Sequence, residues 1–240
     1  MVTHVRENRM IVSNIITAFI FGYLFAIIYI LCNGMMALIT GNVTVLITDF
    51  ASIKLATLSL NSVRIVSIVA GLLGVVVSQI FVLNALKQKK SLKRANTLVH
   101  FLQLYVAIIV AILVLILGHF QMVALLGVCV SILLCFLTGC QVNNMENKVG
   151  DMTYLTMLFV GNIQQIANLL SGIVFAKYIS KSEYDFRDSI KKIILLITIL
   201  LLYCIGLYLG AKMAVIFGFD ALAVLPIMFL IPLIIAYRKR

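Results

Sequence analysis

The residues that could do chemistry in this chain are mostly uncharged. Thr40-Gly41-Asn42-Val43-Thr44 sits inside an apolar stretch, with Asp49 shortly after it. A weaker copy, Val160-Gly161-Asn162-Ile163-Gln164, follows 120 positions later (161 − 41), with Asn168 beyond it and with Gln141 and Asn143 before it. Thr40, Thr44 and Thr48 are spaced i, i+4, i+8 and would line one face of a helix; Val160, Gln164 and Asn168 take the matching places in the copy. Glycine tolerates unusual backbone angles and close approach, and an amide both donates and accepts hydrogen bonds. Such a set suits binding of a small neutral or zwitterionic solute. The plainer use of the same residues is structural: hydroxyls bonded to their own helix backbone, and amides tying one helix to the next.

Other chemistries find little support. His4, His100 and His119 have no Ser, Cys or Asp partner at a catalytic spacing, and they fall in a tail, at a span start and in a turn, which predicts interfacial side chains. No HExxH, phosphate-loop or dinucleotide glycine pattern occurs. Cys32, Cys129, Cys135, Cys140 and Cys204 lie in or beside apolar runs, without CxxC or Cys/His ligand spacing. They read as small core residues, so neither a metal, a cofactor nor a disulfide framework is expected. The reading is of a protein that is not an enzyme.

The elements that must position these residues follow from composition. Of 240 residues, 63% are apolar, 11% are charged and two are proline. A soluble domain carries about 25% charged residues, so this chain lacks the polar skin that a water-soluble globule needs. Six apolar runs are long enough to cross a bilayer: Met10–Leu31, Ile65–Leu86, Leu98–Gly118, Met122–Gly139, Ile193–Ala211 and Met213–Ala236. Two more stretches, Met35–Leu58 and Met152–Tyr178, are interrupted by polar residues and contain the Gly-Asn motifs. The run after Arg6 and Arg9 is too long for a cleavable signal, and no small-residue cleavage site follows it, so it reads as a retained span.

Charge chooses between six and eight crossings. The net charge of +11 is concentrated in short clusters between apolar runs, which is topology signalling rather than a nucleic-acid surface. With six spans and a cytoplasmic N-terminus, only Lys54, Arg64 and Lys212 fall outside; with eight, seven Lys and Arg residues do, including the cluster from Lys87 to Arg94. The excess of Lys and Arg in cytoplasmic loops favours six. Arg64 and Lys212 lie near predicted span ends, where they could reach the interface, and Asp220 reads as an interfacial acid. Pro226 and Pro232 are expected to kink or shorten the last span.

Three crossings per half make the second half enter the membrane upside down relative to the first. That is the inverted-repeat plan of many secondary transporters, in which interrupted helices meet near the midplane. The two motif stretches are then re-entrant, broken or interfacial.

The residues Gly22 and Thr40-Gly41-Asn42, followed by Gly139, Gln141, Asn143 and Gly161-Asn162, resemble the YoaK family of bacterial multi-span inner-membrane proteins, a domain of unknown function. The resemblance covers nearly the whole chain and implies a bacterial membrane protein with a transport role, naming no substrate. Two positions depart from it: Phe25 stands where the family often has an aspartate, and Val160 where it often has a threonine. A proton- or cation-binding role resting on that aspartate is not implied here.

The sequence therefore predicts an all-α integral membrane protein, residues 1–240 forming one membrane domain. Its six transmembrane helices form repeats over residues 10–118 and 122–236, with both termini in the cytoplasm. Its expected partners are the lipid bilayer and a small-molecule solute, with room for a homo-oligomer and no nucleic acid. Solute contacts are expected from Thr40, Gly41, Asn42, Thr44, Asp49, Gln141, Asn143, Gly161, Asn162, Gln164 and Asn168. The alternative is a non-transporting membrane scaffold or a lipid-sensing protein.

Overall fold

The computed structural model describes residues 2–32, 47, 58–87, 92–142, 148–149, 152–153, 159–178 and 186–237. These residues are helical apart from short turns and a two-residue antiparallel pairing of Lys148–Val149 with Met152–Thr153. The helices are α1 (Val2–Leu31), α2 (Leu58–Lys87), α3 (Leu92–His119), α4 (Val123–Val142), α5 (Phe159–Tyr178), α6 (Phe186–Phe217) and α7 (Leu225–Tyr237).

Long apolar runs with almost no proline leave the helix as the only way to pair every backbone group without water. A 30-residue helix such as α2 is about 45 Å long. The bilayer core is about 30 Å thick. Four segments are long and apolar enough to cross it, Asn61–Asn84, Thr97–His119, Val123–Gln141 and Phe186–Ile235, and Ile15–Leu31 is a shorter fifth. No more than half of any of the four is covered by protein. The rest is apolar surface: Leu72, Leu73, Val76, Ile80 and Leu83 stand exposed along α2, and Ile112, Leu115 and Ile116 along α3. Surface of that kind belongs against lipid.

The last two predicted runs divide later than expected. Helix α6 passes through Lys212 without a break and ends at Phe217. Lysine is a good helix former and is exposed here, with its ammonium 5.9 Å from the centre of the Tyr208 ring. The chain reverses instead at Gly218, which takes a left-handed φ of 58° and opens a 3-10 turn over Gly218–Val224. Pro226 falls in the first turn of α7, where its missing N–H costs nothing. Only Pro232 sits inside that helix.

Two helix pairs cross so closely that glycine is required. Between α1 and α6, a Cβ added at Gly22 would fall onto the Tyr203 carbonyl, one at Gly206 onto that of Phe19, and one at Gly210 onto that of Tyr23. Between α2 and α4, a Cβ at Gly139 would meet the Gly71 carbonyl and one at Gly74 that of Phe136. Direct backbone approach of this sort is how helices gain packing in lipid, where apolar burial against a neighbour offers little. Helices α3 and α7 pack against each other and against these pairs. The main core gathers Phe21, Leu24, Ile27 and Ile28 of α1 with Val110 of α3, Leu134 of α4 and Phe229 of α7.

Contacts between helix ends sort the bundle into two sides. The Cys32 thiol, at the end of α1, donates to the Gly127 carbonyl near the start of α4 at 3.7 Å, and the Tyr23 hydroxyl donates to the Ala221 carbonyl at 2.7 Å. At the opposite side the Ser13 hydroxyl reaches the Pro232 carbonyl at 3.5 Å. Phe101, near the start of α3, packs edge-on to Tyr237, near the end of α7, with 6.4 Å between ring centres. The contacts Phe19–Gly206 and Tyr23–Gly210 advance together along both chains, so α1 and α6 run parallel.

Candidate functional site

Most hydroxyls inside the bundle follow the structural pattern. Thr17, Ser131 and Thr198 each donate to the carbonyl four residues back at 2.8 Å. Ser78 and Thr138 do the same three residues back, at 2.9 and 2.8 Å. Such bonds use the one hydroxyl donor within the helix itself.

The amides behave differently. His100 and Gln103, one turn apart near the start of α3, are joined by a 3.0 Å bond between Nδ1 and Oε1. Gln103 Nε2 then donates to Gln141 Oε1 on α4 at 2.7 Å. All three side chains are buried, and Gln141 Nε2 has no hydrogen-bond partner among the described residues. An unfilled buried donor costs about 1–3 kcal/mol. This chain of polar groups, closed at one end by an imidazole and open at the other, is a place where a water or a solute acceptor would be stabilised. His100 is therefore not the interfacial histidine expected from its position at a span start; the exposed His119 fits that expectation.

A second polar set runs along α2. Asn61, Arg64 and Ser67 are spaced one turn apart and all are buried. The Arg64 guanidinium donates to Asn61 Oδ1 at 2.9 Å. Arg64, near a predicted span end, is thus turned into the protein and not out to the interface.

The predicted site residues separate into three groups. Thr40, Gly41, Asn42, Thr44, Asp49 and Asn143 lie outside the described residues. Gln141 and Asn162 are buried, at 1% exposure each. Gln164 and Asn168 lie on α5 and are exposed; Gly161 belongs to the same helix. Helix α5 packs through Ile166 and Leu169 against Ala18 of α1 and Leu196 and Ile199 of α6. Its inward face is thus the one carrying Asn162, Ile166 and Leu169, displaced from the stripe of Val160, Gln164 and Asn168.

The cysteines are free thiols: Cys32, Cys135 and Cys140 are buried, Cys129 is partly covered, and Cys204 is exposed, contrary to its expected place in the core. No cluster of three metal-binding side chains occurs among the described residues.

The interrupted polar pattern on a largely apolar helical frame, with Gly22 and Gly139 at the tight crossings, runs almost from end to end of the chain. A family model matches residues 14–235. The chain belongs to the DUF1275 family, proteins of unknown function. YoaK-type proteins are members of DUF1275, in keeping with the resemblance of the glycine and amide motifs. No curated protein and no solved structure matches this DUF1275 chain.

Two open grooves lie elsewhere on the DUF1275 bundle. One, of about 260 Å³, is lined by Phe101, Leu233, Ile234 and Tyr237. The other, of about 230 Å³, runs between α1 and α6 along Phe25, Tyr29 and Leu207. Both are lined by apolar side chains and tyrosine rings.

Proposed function

We propose that this DUF1275 protein is a carrier rather than an enzyme, moving a small solute across the cytoplasmic membrane of a bacterium by alternating access in a frame built from two inverted three-span repeats. The observation that carries the reading is the likeness of the two tight crossings. Phe136 and Gly139 of α4 follow Phe19 and Gly22 of α1 by 117 residues, and Tyr203 and Gly206 of α6 follow Gly71 and Gly74 of α2 by 132. Under those shifts the contact of Gly22 with Tyr203 corresponds to that of Gly139 with Gly71, and Gly206 with Phe19 to Gly74 with Phe136. A repeat need not reproduce backbone contacts residue by residue unless its halves share one geometry.

Helix direction supports six crossings. Residues 88–91 can bridge no more than about 18 Å between α2 and α3, so both adjoining ends lie on one side. That side also holds the start of α1 and the ends of α4 and α7, as Ser13, Gln141 and Tyr237 mark. The segment between α1 and α2 then leaves and rejoins the bundle on the far side, and the segment between α4 and α6 does so on the near side. The near side carries Lys87, Arg187, Lys191 and Lys192, which makes it cytoplasmic by the positive-inside rule. Both termini belong there.

Each tight pair joins helices from different halves. The moving bodies in this reading are therefore α1 with α6 and α2 with α4, rocking over the polar groups between them. The solute contacts in this reading are Thr40, Gly41, Asn42, Thr44, Asp49, Gln141, Asn143, Gly161 and Asn162, extended by His100 and Gln103; Gln164 and Asn168, exposed on the other face of α5, drop out.

Impermeant thiol reagents test the topology in a cysteine-free background. Cysteines at Lys54 and Ser182 should label from opposite compartments, with Asp220 and Arg187 as outer and inner references; labelling of both from one side overturns the inverted arrangement. Uptake of labelled amino acids and small organic acids into proteoliposomes tests the carrier. Transport lost in Gln141→Ala and in Asn162→Ala is the expected result, and unchanged transport in both removes the site. The apolar grooves favour a second reading, a lipid-sensing protein without transport, which predicts no uptake and unfolding temperatures that follow acyl-chain composition.

A further inference from the structure

We propose that the cleft between the start of α3 and the end of α7 is a binding site for an anionic phospholipid, with an acyl chain in the cleft and the headgroup at the basic residues beside it. The assignment is independent of the carrier reading. The groove of about 260 Å³ lined by Phe101, Leu233, Ile234 and Tyr237 supplies the apolar part. Leu233 is buried at its floor, and Phe101, Ile234 and Tyr237 are exposed along its walls. From there the exposed face of α3 continues through Tyr105, Ile108 and Ile112, and that of α7 through Ile231 and Ile227. The rise from Phe101 to Ile112 is about 16 Å, close to one leaflet of a hydrocarbon core about 30 Å thick.

Charge decides which lipid. Lys93 and Arg94 belong to the first turn of α3, two turns before Phe101, and Arg238, Lys239 and Arg240 follow Tyr237 directly in the sequence. Neither residues 87–100 nor residues 225–240 include an Asp or Glu. Basic clusters at the cytoplasmic end of a span attract anionic headgroups, each residue near the surface adding about fivefold in affinity. The apolar segments of the two helices begin at Thr97 and end at Ile235. Tyr237 therefore lies just past the hydrocarbon and Phe101 one turn within it, the level at which aromatic rings anchor. Orienting the protein needs only a count of basic residues on one side, and no apolar cleft between them. The second groove, of about 230 Å³, offers an internal comparison. Its lining of Phe25, Tyr29 and Leu207 is of the same kind, but Lys212 is the one basic residue beside it in the sequence, and that ammonium lies over the Tyr208 ring.

Native mass spectrometry of the purified full-length protein, with dioleoylphosphatidylglycerol or dioleoylphosphatidylcholine added to the detergent, provides the test. Phosphatidylglycerol should bind at least about fivefold tighter than phosphatidylcholine, the effect of one basic residue at the headgroup. The triple variant Arg238→Gln, Lys239→Gln and Arg240→Gln should lose most of that preference. Ile234→Trp, which fills the cleft from an exposed wall, should weaken phosphatidylglycerol at least as much, and Phe101→Ala, which removes the facing wall, serves if Ile234→Trp does not fold. Ile30→Trp, which fills the second groove, should leave binding unchanged. Equal affinity for the two lipids overturns the site, as does a preference that the triple variant keeps in full. A loss in the triple variant with binding intact in Ile234→Trp and Phe101→Ala overturns it in favour of diffuse attraction to a basic surface. A loss in Ile30→Trp as large as in Ile234→Trp overturns it as well. None of these readouts involves uptake, so the carrier reading is tested apart from this one.

Discussion

Helices α2 and α6 occupy corresponding places at the two tight crossings, yet they differ where it matters for chemistry. Both present a small-residue stripe to a partner: Gly71 and Gly74 in one, Gly206 and Gly210 in the other. Beyond the stripe, α2 buries Asn61, Arg64 and Ser67, whereas α6 buries Leu196 and Ile199. Both crossings rest on close backbone contact, while the buried Asn61, Arg64 and Ser67 lie on α2. The lesson is that the crossings are scaffold, and that departures from likeness between the helices point to function better than the shared features do.

The comparison can be broken first at the crossings themselves. Gly22→Leu and Gly139→Leu should each prevent accumulation of folded protein, and the milder Gly22→Ala and Gly139→Ala should each cost about 3 kcal/mol, because a Cβ meets backbone that cannot rotate away. Unfolding of the purified variants measures this, and a large cost at only one crossing would undo the equivalence. Leu196→Arg makes α6 resemble α2. It should destabilise by roughly 2.5–3.5 kcal/mol, since the apolar cluster of Ala18, Ile166, Leu169 and Ile199 offers the charge no partner.

The amide pair sharpens the picture at smaller scale. Gln103→Leu should cost about 1–3 kcal/mol for each of the two buried groups it orphans, His100 and Gln141, while replacing all three residues by leucine should recover most of that loss. Full recovery in stability with loss of uptake would mark the three as kept for transport. The smallest effect concerns the turns. Gln121 holds a left-handed φ of 56° between α3 and α4, nearly the angle of Gly218. Gln121→Gly should stabilise by up to about 1 kcal/mol and Gly218→Ala should destabilise by about the same amount, as shifts in melting temperature.

Much of the frame was legible in the sequence because lipid imposes a single rule on it: apolar runs become helices. The helical cores of the expected spans from Met10 to Gly139 are found where hydropathy puts them. The final turn was misplaced because one lysine looked like a loop, while the residue able to reverse the chain was Gly218. The candidate site was read less well. Gln141 and Asn162 are buried as expected, but Gln164 and Asn168 are not, since α5 docks through the neighbouring face. Gln103 is the one amide in the apolar run from Leu98 to Gly118, a signal of a buried polar partner, and its bond turns His100 inward instead of leaving it at the interface. Arg64 was misread because local sequence places it near a span end without saying which way its helix is turned. Orientation of that kind is set by contacts distant in the chain, and periodicity alone does not encode it.

The bond from Tyr23 to Ala221 spans 198 residues, and the Gly22 crossing joins α1 to a helix made nearly as late. During synthesis α1 must wait, its backbone seam without its partner, until α6 leaves the ribosome. Contacts of such long range slow assembly. A chain truncated before α6 would therefore lack every partner of the glycine seam on α1.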